Sequence, residues 1–253
     1  MSRIYTETFG TGDPLVLVHG WAMHSGVWRD FARSLSKRYR VICVDLPGHG
    51  RSASAPFILD QIIDELSDTL PEEPCCWLGW SMGAALVLEM ARKYPQRVTS
   101  LVLLAGSPCF VAEPEWPGIP KQQLEIFRKY LHKLPKKTLS RFLELEVQGG
   151  ADARSLLKKI KTMLAEYATP DKQTLLGGLD ILRHVDFRQP LAELNVPLLV
   201  CLGEKDVLVP VAAGKSIQRL LPGAEILIVE GAGHVLFLSH EQEVVNSMFD
   251  FLN

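Results

Sequence analysis

The stretch CCWLGWSMGAALVLEMARKY, residues 75–94, joins an apolar run, a serine flanked by glycines and a helix-like segment. The first six residues are typical of a buried strand, and the residues after Ser81 have helical spacing. In Gly79-x-Ser81-x-Gly83, the glycines suit a tight strand-to-helix turn, where side chains two positions from the serine would collide with its backbone. The stretch indicates either a nucleophile on a sharp turn or a glycine-rich turn with an incidental serine.

Other short apolar runs on both sides of this stretch predict a mainly parallel sheet. Several lack polar alternation, as strands buried on both faces do, and helix-period segments lie between them. Strands are expected at 14–20, 40–46, 75–80, 100–106, 197–203 and 224–231. The start, RIYTETFGTGDPLVLV (3–18), instead indicates two antiparallel strands joined by a glycine turn.

The strand pattern breaks after residue 108 and resumes at 197. Between these points apolar residues recur three or four apart, which predicts amphipathic helices. The segments are LEIFRKYLHKL (124–134), TLSRFLELEV (138–147), ARSLLKKIKTMLAEY (153–167) and QTLLGGLDILRHV (173–185). We therefore expect an α/β core formed by residues 1–108 and 190–253, with a helical cap, residues 109–189, inserted in it.

The composition indicates a soluble globular protein, with 47% hydrophobic and 22% charged residues. No apolar run approaches the roughly 20 residues that span a bilayer, and residues 1–13 lack the apolar core of a signal peptide. We expect a cytoplasmic protein with no membrane partner. The five cysteines lack metal-ligand spacing and lie mostly in apolar runs, which predicts reduced, buried thiols. We expect no metal ion and no cofactor.

Charge is unevenly distributed along the chain. Residues 121–161 contain eleven basic and four acidic residues, a net charge of +7, whereas the remainder carries −9. A basic segment of this kind attracts an acidic partner, although a lysine-rich solvated helix face has the same composition. The net charge of the whole chain, −2, says little by itself. We expect no nucleic-acid partner.

Two later segments supply partners for a serine nucleophile, which needs a base and a group that orients the base. Asp206 follows the predicted strand 197–203, and His234 follows the predicted strand 224–231. The carboxyl ends of parallel strands meet at one edge of a sheet, and the order Ser, Asp, His is that of α/β-hydrolases. Singly, Asp206 could be a turn residue and His234 a loop residue. Together with Ser81 they predict a catalytic triad.

A tetrahedral intermediate also needs donors for its oxyanion. We expect the backbone N–H of Met82, at the start of the predicted helix, to be one donor. The loop after LVLVHG (15–20) supplies the second through Trp21, with His19 and Gly20 shaping the loop. Trp21 could also be only a core aromatic residue.

Several motifs of the sequence resemble those of a known family. The motifs HGW (19–21), VDLPGHGRS (44–52), GWSMG (79–83), GEKDVLVP (203–210) and GAGH (231–234) resemble the core of the α/β-hydrolases. SPCFVAEPEWPGI (107–119) and GGLDILRHVDFRQPL (177–191) resemble the cap of the pimeloyl-[acyl-carrier-protein] methyl ester esterase family. The resemblance implies a carboxylesterase of biotin synthesis that acts through a Ser-His-Asp acyl-enzyme. It would release methanol from the distal end of a carrier-bound pimeloyl chain.

The same resemblance implies where the acyl carrier protein docks. The segment KKTLSRF (136–142) places Lys137 and Arg141 as carrier contacts, with Arg154 as a further one. Phe142, together with Trp21, would contact the substrate. The sequence departs from the family at Lys137, where arginine is expected.

Other functions remain open on sequence grounds. A lyase of menaquinone synthesis and other small-ester hydrolases have the same fold and a similar triad, and a non-catalytic ligand receptor would need no complete triad. Enzymes with a carboxylate nucleophile at the turn are excluded by Ser81. We expect a monomer, although nothing in the sequence determines the oligomeric state.

Overall fold

Seven strands form the central sheet in the computed structural model, which describes residues 4–150 and 152–253. Their order across the sheet is β1-β3-β2-β4-β5-β6-β7, and every pair is parallel except β1 with β3. The predicted α/β fold with a mainly parallel sheet is confirmed. The strands are β1 Tyr5–Phe9, β2 Pro14–Val18, β3 Arg40–Asp45, β4 Cys75–Trp80, β5 Val98–Leu104, β6 Leu198–Gly203 and β7 Glu225–Val229.

The predicted hairpin at the start of the chain is wrong. β1 is antiparallel, but it pairs with β3, and β2 lies on the other side of β3. Residues 10–13 cross the start of β3, where Arg40 N–H donates to Asp13 O at 2.9 Å. Gly10 and Gly12 have φ of 74° and 104° there, so the link turns in a way that favours glycine. β2, buried from Leu15 onward, thereby gains a parallel partner on each side.

Helices flank this sheet, and five of them, α4 to α8, follow one another between β5 and β6. They begin at Lys121 and end at Ala192, so the predicted helical segments between residues 109 and 189 are helical in the structure. The helices are α1 Arg29–Leu35, α2 Leu59–Thr69, α3 Met82–Lys93, α4 Lys121–Lys133, α5 Pro135–Val147, α6 Ala153–Leu164, α7 Lys172–His184, α8 Arg188–Ala192, α9 Ala212–Leu220, α10 Leu236–Ser239 and α11 Glu241–Phe251.

The direction in which the chain adds strands to the sheet reverses between β2 and β4. From β2 the chain moves to β3 on one side and then returns to β4 on the other. Connections that leave neighbouring strands in opposite directions open a crevice at the carboxyl edge of the sheet, where ligands bind in folds of this type. The register sets Val18 opposite Gly79, so the loops that carry Trp21 and Ser81 start side by side.

An aromatic cluster beside the sheet holds two of these loops together. Trp80, the last residue of β4, packs on Phe237 of α10 with ring centroids 4.9 Å apart, and Trp28 packs on the same ring at 4.5 Å. The indole N–H of Trp80 also donates to the carbonyl of His234 at 3.0 Å. The residue before Ser81 is therefore bonded to the loop that carries His234.

The five cysteines are all buried and none forms a disulfide, as predicted. Burial raises the pKa of the Cys76 thiol to about 12, so this thiol is uncharged at neutral pH. Over the described ranges, the structure has no helix with the length and apolarity needed to cross a membrane.

Candidate active site

Ser81 lies on a strained turn between β4 and α3. Its φ of 56° and ψ of −120° are a combination that residues with a side chain rarely adopt. A backbone hydrogen bond ties the turn to the end of β5, because Ser81 N–H donates to Leu104 O at 3.0 Å. The side chain is almost buried, with 4% of its residue surface exposed. This is the predicted sharp turn, with the serine at its apex.

The glycines on both sides of Ser81 are required by close backbone contacts. A Cβ atom at Gly79 would collide with the carbonyl of Gly83, and one at Gly83 would collide with the carbonyl of Val18. The next residue, Ala84, fits because Gly106 leaves room for its methyl group. The first turn of α3 therefore sits directly on the ends of β2 and β4.

Asp206 and His234 form a buried pair at the same edge of the sheet. His234 Nδ1 lies 2.7 Å from Asp206 Oδ2, and 1% of His234 is exposed. The other oxygen, Oδ1, accepts from the backbone N–H groups of Leu208 and Val209 at 2.8 and 3.0 Å. Because the carboxylate can only accept, the contact assigns the proton to Nδ1 and leaves the lone pair on Nε2. Within the described ranges, His234 Nε2 is buried and has no hydrogen-bond partner.

The loop after β2 lies against Ser81 and is fixed by α7 and α5. Gly20 faces the serine: a Cβ atom built there would lie 3.2 Å from Ser81 Cβ. The indole N–H of Trp21 donates to Leu175 O at 2.8 Å, and the ring makes an edge contact with Phe142 at 4.7 Å. The backbone at Ala22 has a φ of 60°, a second strained position. The loop is thus held in place next to Ser81.

The two predicted oxyanion donors lie on these elements. Met82 is the first residue of α3, and the N–H groups of a first helical turn have no acceptor within the helix. Trp21 and Met82 both border Gly178 of α7, where an added Cβ atom would collide with the indole ring. The structure therefore brings the loop of Trp21 and the helix start of Met82 together beside Ser81.

Two other histidines near the site have structural contacts. His19 Nδ1 donates to Gly20 O at 2.8 Å, while Nε2 accepts from Leu46 N–H at 3.0 Å, so the ring links the ends of β2 and β3. Burial lowers the pKa of His19 to about 3 and that of His49 to about 4. Both rings are neutral at pH 7. In the described part of the chain, no group of three or more His, Cys, Asp or Glu side chains is arranged to hold a metal ion.

A buried carboxyl group in α5 was not expected from the sequence. Glu146 is fully buried, and neither of its carboxyl oxygens has a hydrogen-bond partner among the described residues. Burial raises its pKa well above the usual range, and the negative charge of Asp206 adds to the effect. Two residues after Glu146, Gln148 O lies 3.0 Å from the position of a Cβ atom built at Gly233, the residue before His234. A buried carboxyl with a raised pKa thus lies close enough to Asp206 to be affected by its charge.

The position of Glu146 carried a signal in the sequence. It lies four residues after Phe142, and positions four apart share one face of a helix. Since Phe142 lies on the apolar face of α5, an acidic residue at this spacing predicts a buried acid. The prediction of an amphipathic helix over 138–147 did not separate it from the exposed Glu144.

A cavity of about 220 Å³ opens between the loop after β2 and helices α5 and α6. Its lining is mainly apolar and includes Ala22, Met23, Phe142 and Leu164, with Lys161 also at its wall. Phe142 therefore separates the ring of Trp21 from this space. The mainly apolar lining suits an aliphatic chain.

The predicted carrier contacts lie on the outside of the helical insertion. Lys137 and Arg141 are exposed on α5, and Arg154 is exposed on α6. Arg141 contacts Glu144 at 3.2 Å, whereas no ion pair involves Lys137 or Arg154 among the described residues. Two other cations of segment 121–161 are paired within the molecule, namely Arg128 with Asp180 and Lys159 with Asp30. The structure thus separates cations used internally from those free to meet a partner.

Comparisons with known proteins agree with this architecture. A family model described as alpha/beta hydrolase fold matches residues 13–241. Among solved structures, a bromoperoxidase from Bacillus anthracis superposes with a TM-score of 0.89 and 25% identity, covering 98% of this chain and 95% of that one. An esterase from Exiguobacterium antarcticum has a TM-score of 0.87 at 22% identity, covering 98% and 94%, and so supports the fold alone.

Curated relatives match over the whole chain. The pimeloyl-[acyl-carrier protein] methyl ester esterase of Methylococcus capsulatus is 39% identical over 250 residues, covering 98% of both chains. The protein of the same name from Nitrosomonas europaea is 40% identical over 255 residues, covering 100% of both. This chain belongs to the α/β-hydrolase fold family and, within it, to the family of the pimeloyl-[acyl-carrier protein] methyl ester esterases.

Proposed function

We propose that this protein hydrolyses the methyl ester of a pimeloyl chain attached to acyl carrier protein, the step of biotin synthesis that its family resemblance implies. The observation that carries the proposal is the buried Asp206–His234 pair, whose imidazole ring lies 5.9 Å from the ring of Trp80, the residue before the strained Ser81 turn. The names of relatives 39% and 40% identical support the choice of ester.

In the first half of the reaction, Ser81 Oγ attacks the carbonyl carbon of the methyl ester. Its proton passes to His234 Nε2 as the new C–O bond forms, and the carbonyl electron pair moves to the oxygen. Asp206, whose Oδ2 accepts from Nδ1–H, stabilises the imidazolium that results. The backbone N–H groups of Trp21 and Met82 donate to the oxyanion.

Collapse of this intermediate breaks the bond to the methoxy group, and His234 Nε2–H returns its proton so that methanol leaves. The pimeloyl group is then esterified to Ser81. Water attacks this acyl-enzyme and gives its proton to His234. Collapse of the second tetrahedral intermediate breaks the bond to Ser81 Oγ, which takes that proton back from His234. The products are one methanol and one carboxylic acid, which ionises in water.

The helical insertion provides the binding surface for this chemistry. We assign residues 1–108 and 190–253 to a catalytic core and residues 109–189 to a cap. Phe142 would contact the acyl chain at the wall of the 220 Å³ cavity, and Trp21, which packs on Phe142, would contact the substrate where it leaves this cavity. Lys137, Arg141 and Arg154 would hold the acidic carrier at the cap surface. All proposed catalytic residues come from one chain, so a monomer is sufficient for the reaction.

The test is turnover of methyl pimeloyl-carrier by the purified protein. We expect one methanol per carboxylate formed. Intact-mass measurement of enzyme quenched during turnover should show an adduct on Ser81 equal to the ester minus methanol. A protein that forms neither methanol nor the adduct from this substrate is not this esterase, and a lyase on the same fold then becomes the better assignment.

A further inference from the structure

An exposed apolar groove runs between α4 and α5, with a volume of about 310 Å³. One wall is formed by Ile126, Tyr130 and Leu134, and the other includes Lys137 and Arg141. We call it the α4–α5 groove. It is distinct from the 220 Å³ acyl cavity, which opens on the side of α6.

The apolar wall of this groove is unusually exposed. Ile126, Tyr130 and Leu134 are 53%, 49% and 44% exposed. They are four residues apart in the chain, so they form a continuous stripe on or just beyond α4, while Leu124 and Leu131 are buried. Single exposed apolar residues are ordinary, but a contiguous apolar patch with a polar rim marks an interaction site.

The charge at the rim restricts what the groove accepts. The side chain of Lys137 has no ion pair within the described ranges, and that of Arg141 is shared with Glu144. Both lie in the segment of net charge +7. A complementary partner therefore presents apolar side chains flanked by carboxylates.

The length of the stripe indicates the shape of the partner. From residue 126 to residue 134 a helix rises by about 12 Å, which matches two turns of a second helix. A groove between two helices takes an amphipathic helix, whose apolar residues three and four apart enter the groove. The base of the groove includes Phe127, whose ring lies 6.2 Å from that of Phe142. A helix docked here is thus one aromatic layer from the acyl cavity.

We propose that the α4–α5 groove binds the apolar face of a helix of the acidic carrier protein, with Lys137 and Arg141 pairing with carboxylates at its margin. This inference rests on the proposed function, since it concerns the same partner. It adds an apolar contact that the basic residues alone do not provide. Apolar burial is insensitive to the salt that screens exposed charges, so the two contributions can be separated.

The first experiment compares the double variant Ile126→Ser/Tyr130→Ser with Ile58→Ser. Ile58 is a matched control because it is 51% exposed but lines a different groove, in which Arg128 is already paired with Asp180. For methyl pimeloyl-carrier we expect the double variant to raise KM about tenfold, the scale of losing a central apolar contact. This increase should persist at 0.5 M salt. A small neutral methyl ester should be turned over as by the wild type, and Ile58→Ser should change neither substrate.

A second measurement does not depend on turnover. The native cysteines are all buried, so Ile126→Cys and Ile58→Cys each introduce an exposed thiol. Saturating carrier should slow alkylation at position 126 at least fivefold and leave position 58 unchanged. Equal alkylation rates at position 126 with and without carrier would overturn the inference. So would unchanged carrier kinetics in the double variant, or a sedimentation shift showing that the groove joins two copies of this chain.

The wild-type enzyme separates this inference from the proposed function. If the wild type does not hydrolyse methyl pimeloyl-carrier, the proposed function fails, and the identity of the groove's partner fails with it. If the wild type does hydrolyse it and the groove variants behave as wild type, only the groove assignment fails.

Discussion

The catalytic edge of the sheet and the outer surface of the helical insertion differ in how they are built. At the edge, Ala22, Ser81 and Ala105 have positive φ and follow β2, β4 and β5. Such strain persists only where the surrounding structure holds it, and here buried hydrogen bonds and aromatic contacts do so. The insertion surface instead carries exposed cations such as Lys137 and Arg154. Substitutions at the edge should affect every ester, whereas those on the surface should affect only the carrier-bound ester.

The largest expected effect is that of Ser81→Ala. Without Oγ no acyl-enzyme forms, so kcat should fall by about 10⁴-fold or more for carrier-bound and small methyl esters alike. Steady-state and single-turnover rates on both substrates measure this. The fold should be retained, because the turn depends on the neighbouring glycines and not on the hydroxyl.

A matched control is Ser107→Ala, which removes another buried serine hydroxyl, one that donates to Cys109 O at 2.7 Å. We expect it to keep kcat within about tenfold of the wild type, since it loses structural hydrogen bonds with Cys109 and Trp116 and no group of the proposed triad. A folded Ser81→Ala enzyme with most of the wild-type kcat would remove Ser81 from the mechanism.

The next effect tests whether Asp206 and His234 act as one unit. Each alanine variant should lower kcat by several powers of ten, because His234→Ala removes the base and Asp206→Ala removes the group that orients it. The double variant should be little worse than His234→Ala alone, since residues that act together have non-additive effects. The kcat values of the two single variants and the double variant form the required cycle. If the losses in kcat of the two single variants multiplied in the double variant, Asp206 and His234 would act independently.

A smaller and selective effect is expected at the surface. In Arg141→Glu/Arg154→Glu, kcat/KM for methyl pimeloyl-carrier should fall about 10- to 100-fold, because carboxylates at the docking surface repel an acidic partner. The small neutral ester should be unaffected. For the wild type, raising salt should lower kcat/KM with the carrier-bound ester only, since exposed charges are screened over about 8 Å at physiological ionic strength.

The two substrates together decide the outcome of that test. A loss shared by both esters indicates damage to the fold. If kcat/KM falls for neither ester, Arg141 and Arg154 belong to a solvated helix face that does not bind the carrier. Arg188→Glu has the same charge change as each single variant, Arg141→Glu or Arg154→Glu, and is their control, because Arg188 is paired with Asp186 at 2.6 Å at the far end of the insertion.

The features that the sequence predicted are those set by local chemistry. Apolar runs without alternation predicted the interior strands, and the glycines around Ser81 predicted the turn, because both depend on neighbouring residues. The contact between Asp206 and His234 at the carboxyl edge of the sheet, where the turn of Ser81 also begins, followed from one topological rule about parallel strands. These predictions required no knowledge of which strands are neighbours.

The features that it did not predict depend on distant contacts. The partner of β1 is β3 and not β2, which only the crossing of residues 10–13 over β3 reveals. Arg128 is neutralised by Asp180, 52 residues away, so a count of basic residues overstates the free charge. Glu146 lies near Asp206, 60 positions along the chain, and no local pattern links them.

The smallest expected effect concerns Glu146, the buried carboxyl of the insertion that reaches the catalytic edge. Its pKa is raised in the folded protein, mainly by burial, so the folded state keeps a proton that the unfolded state loses above about pH 4.5. The resulting contribution to stability is complete below that pH and is lost as pH rises toward the folded-state pKa. Glu146→Gln has no such titration. Its melting temperature should therefore gain on that of the wild type as pH increases from 5 to 8, by roughly a few degrees.

Thermal unfolding at several pH values measures this difference between Glu146→Gln and the wild type. Glu144→Gln, two residues away on the same helix but exposed, shows what loss of an ordinary surface carboxylate does. The comparison must be made as a change with pH, because a buried amide without partners also costs free energy at every pH. A melting-temperature difference that is constant from pH 5 to pH 8 would show that the pKa of Glu146 is not raised in the folded protein. The insertion would then affect the catalytic edge through packing alone. The contact of Phe142 with Trp21 would be the place where the two regions meet.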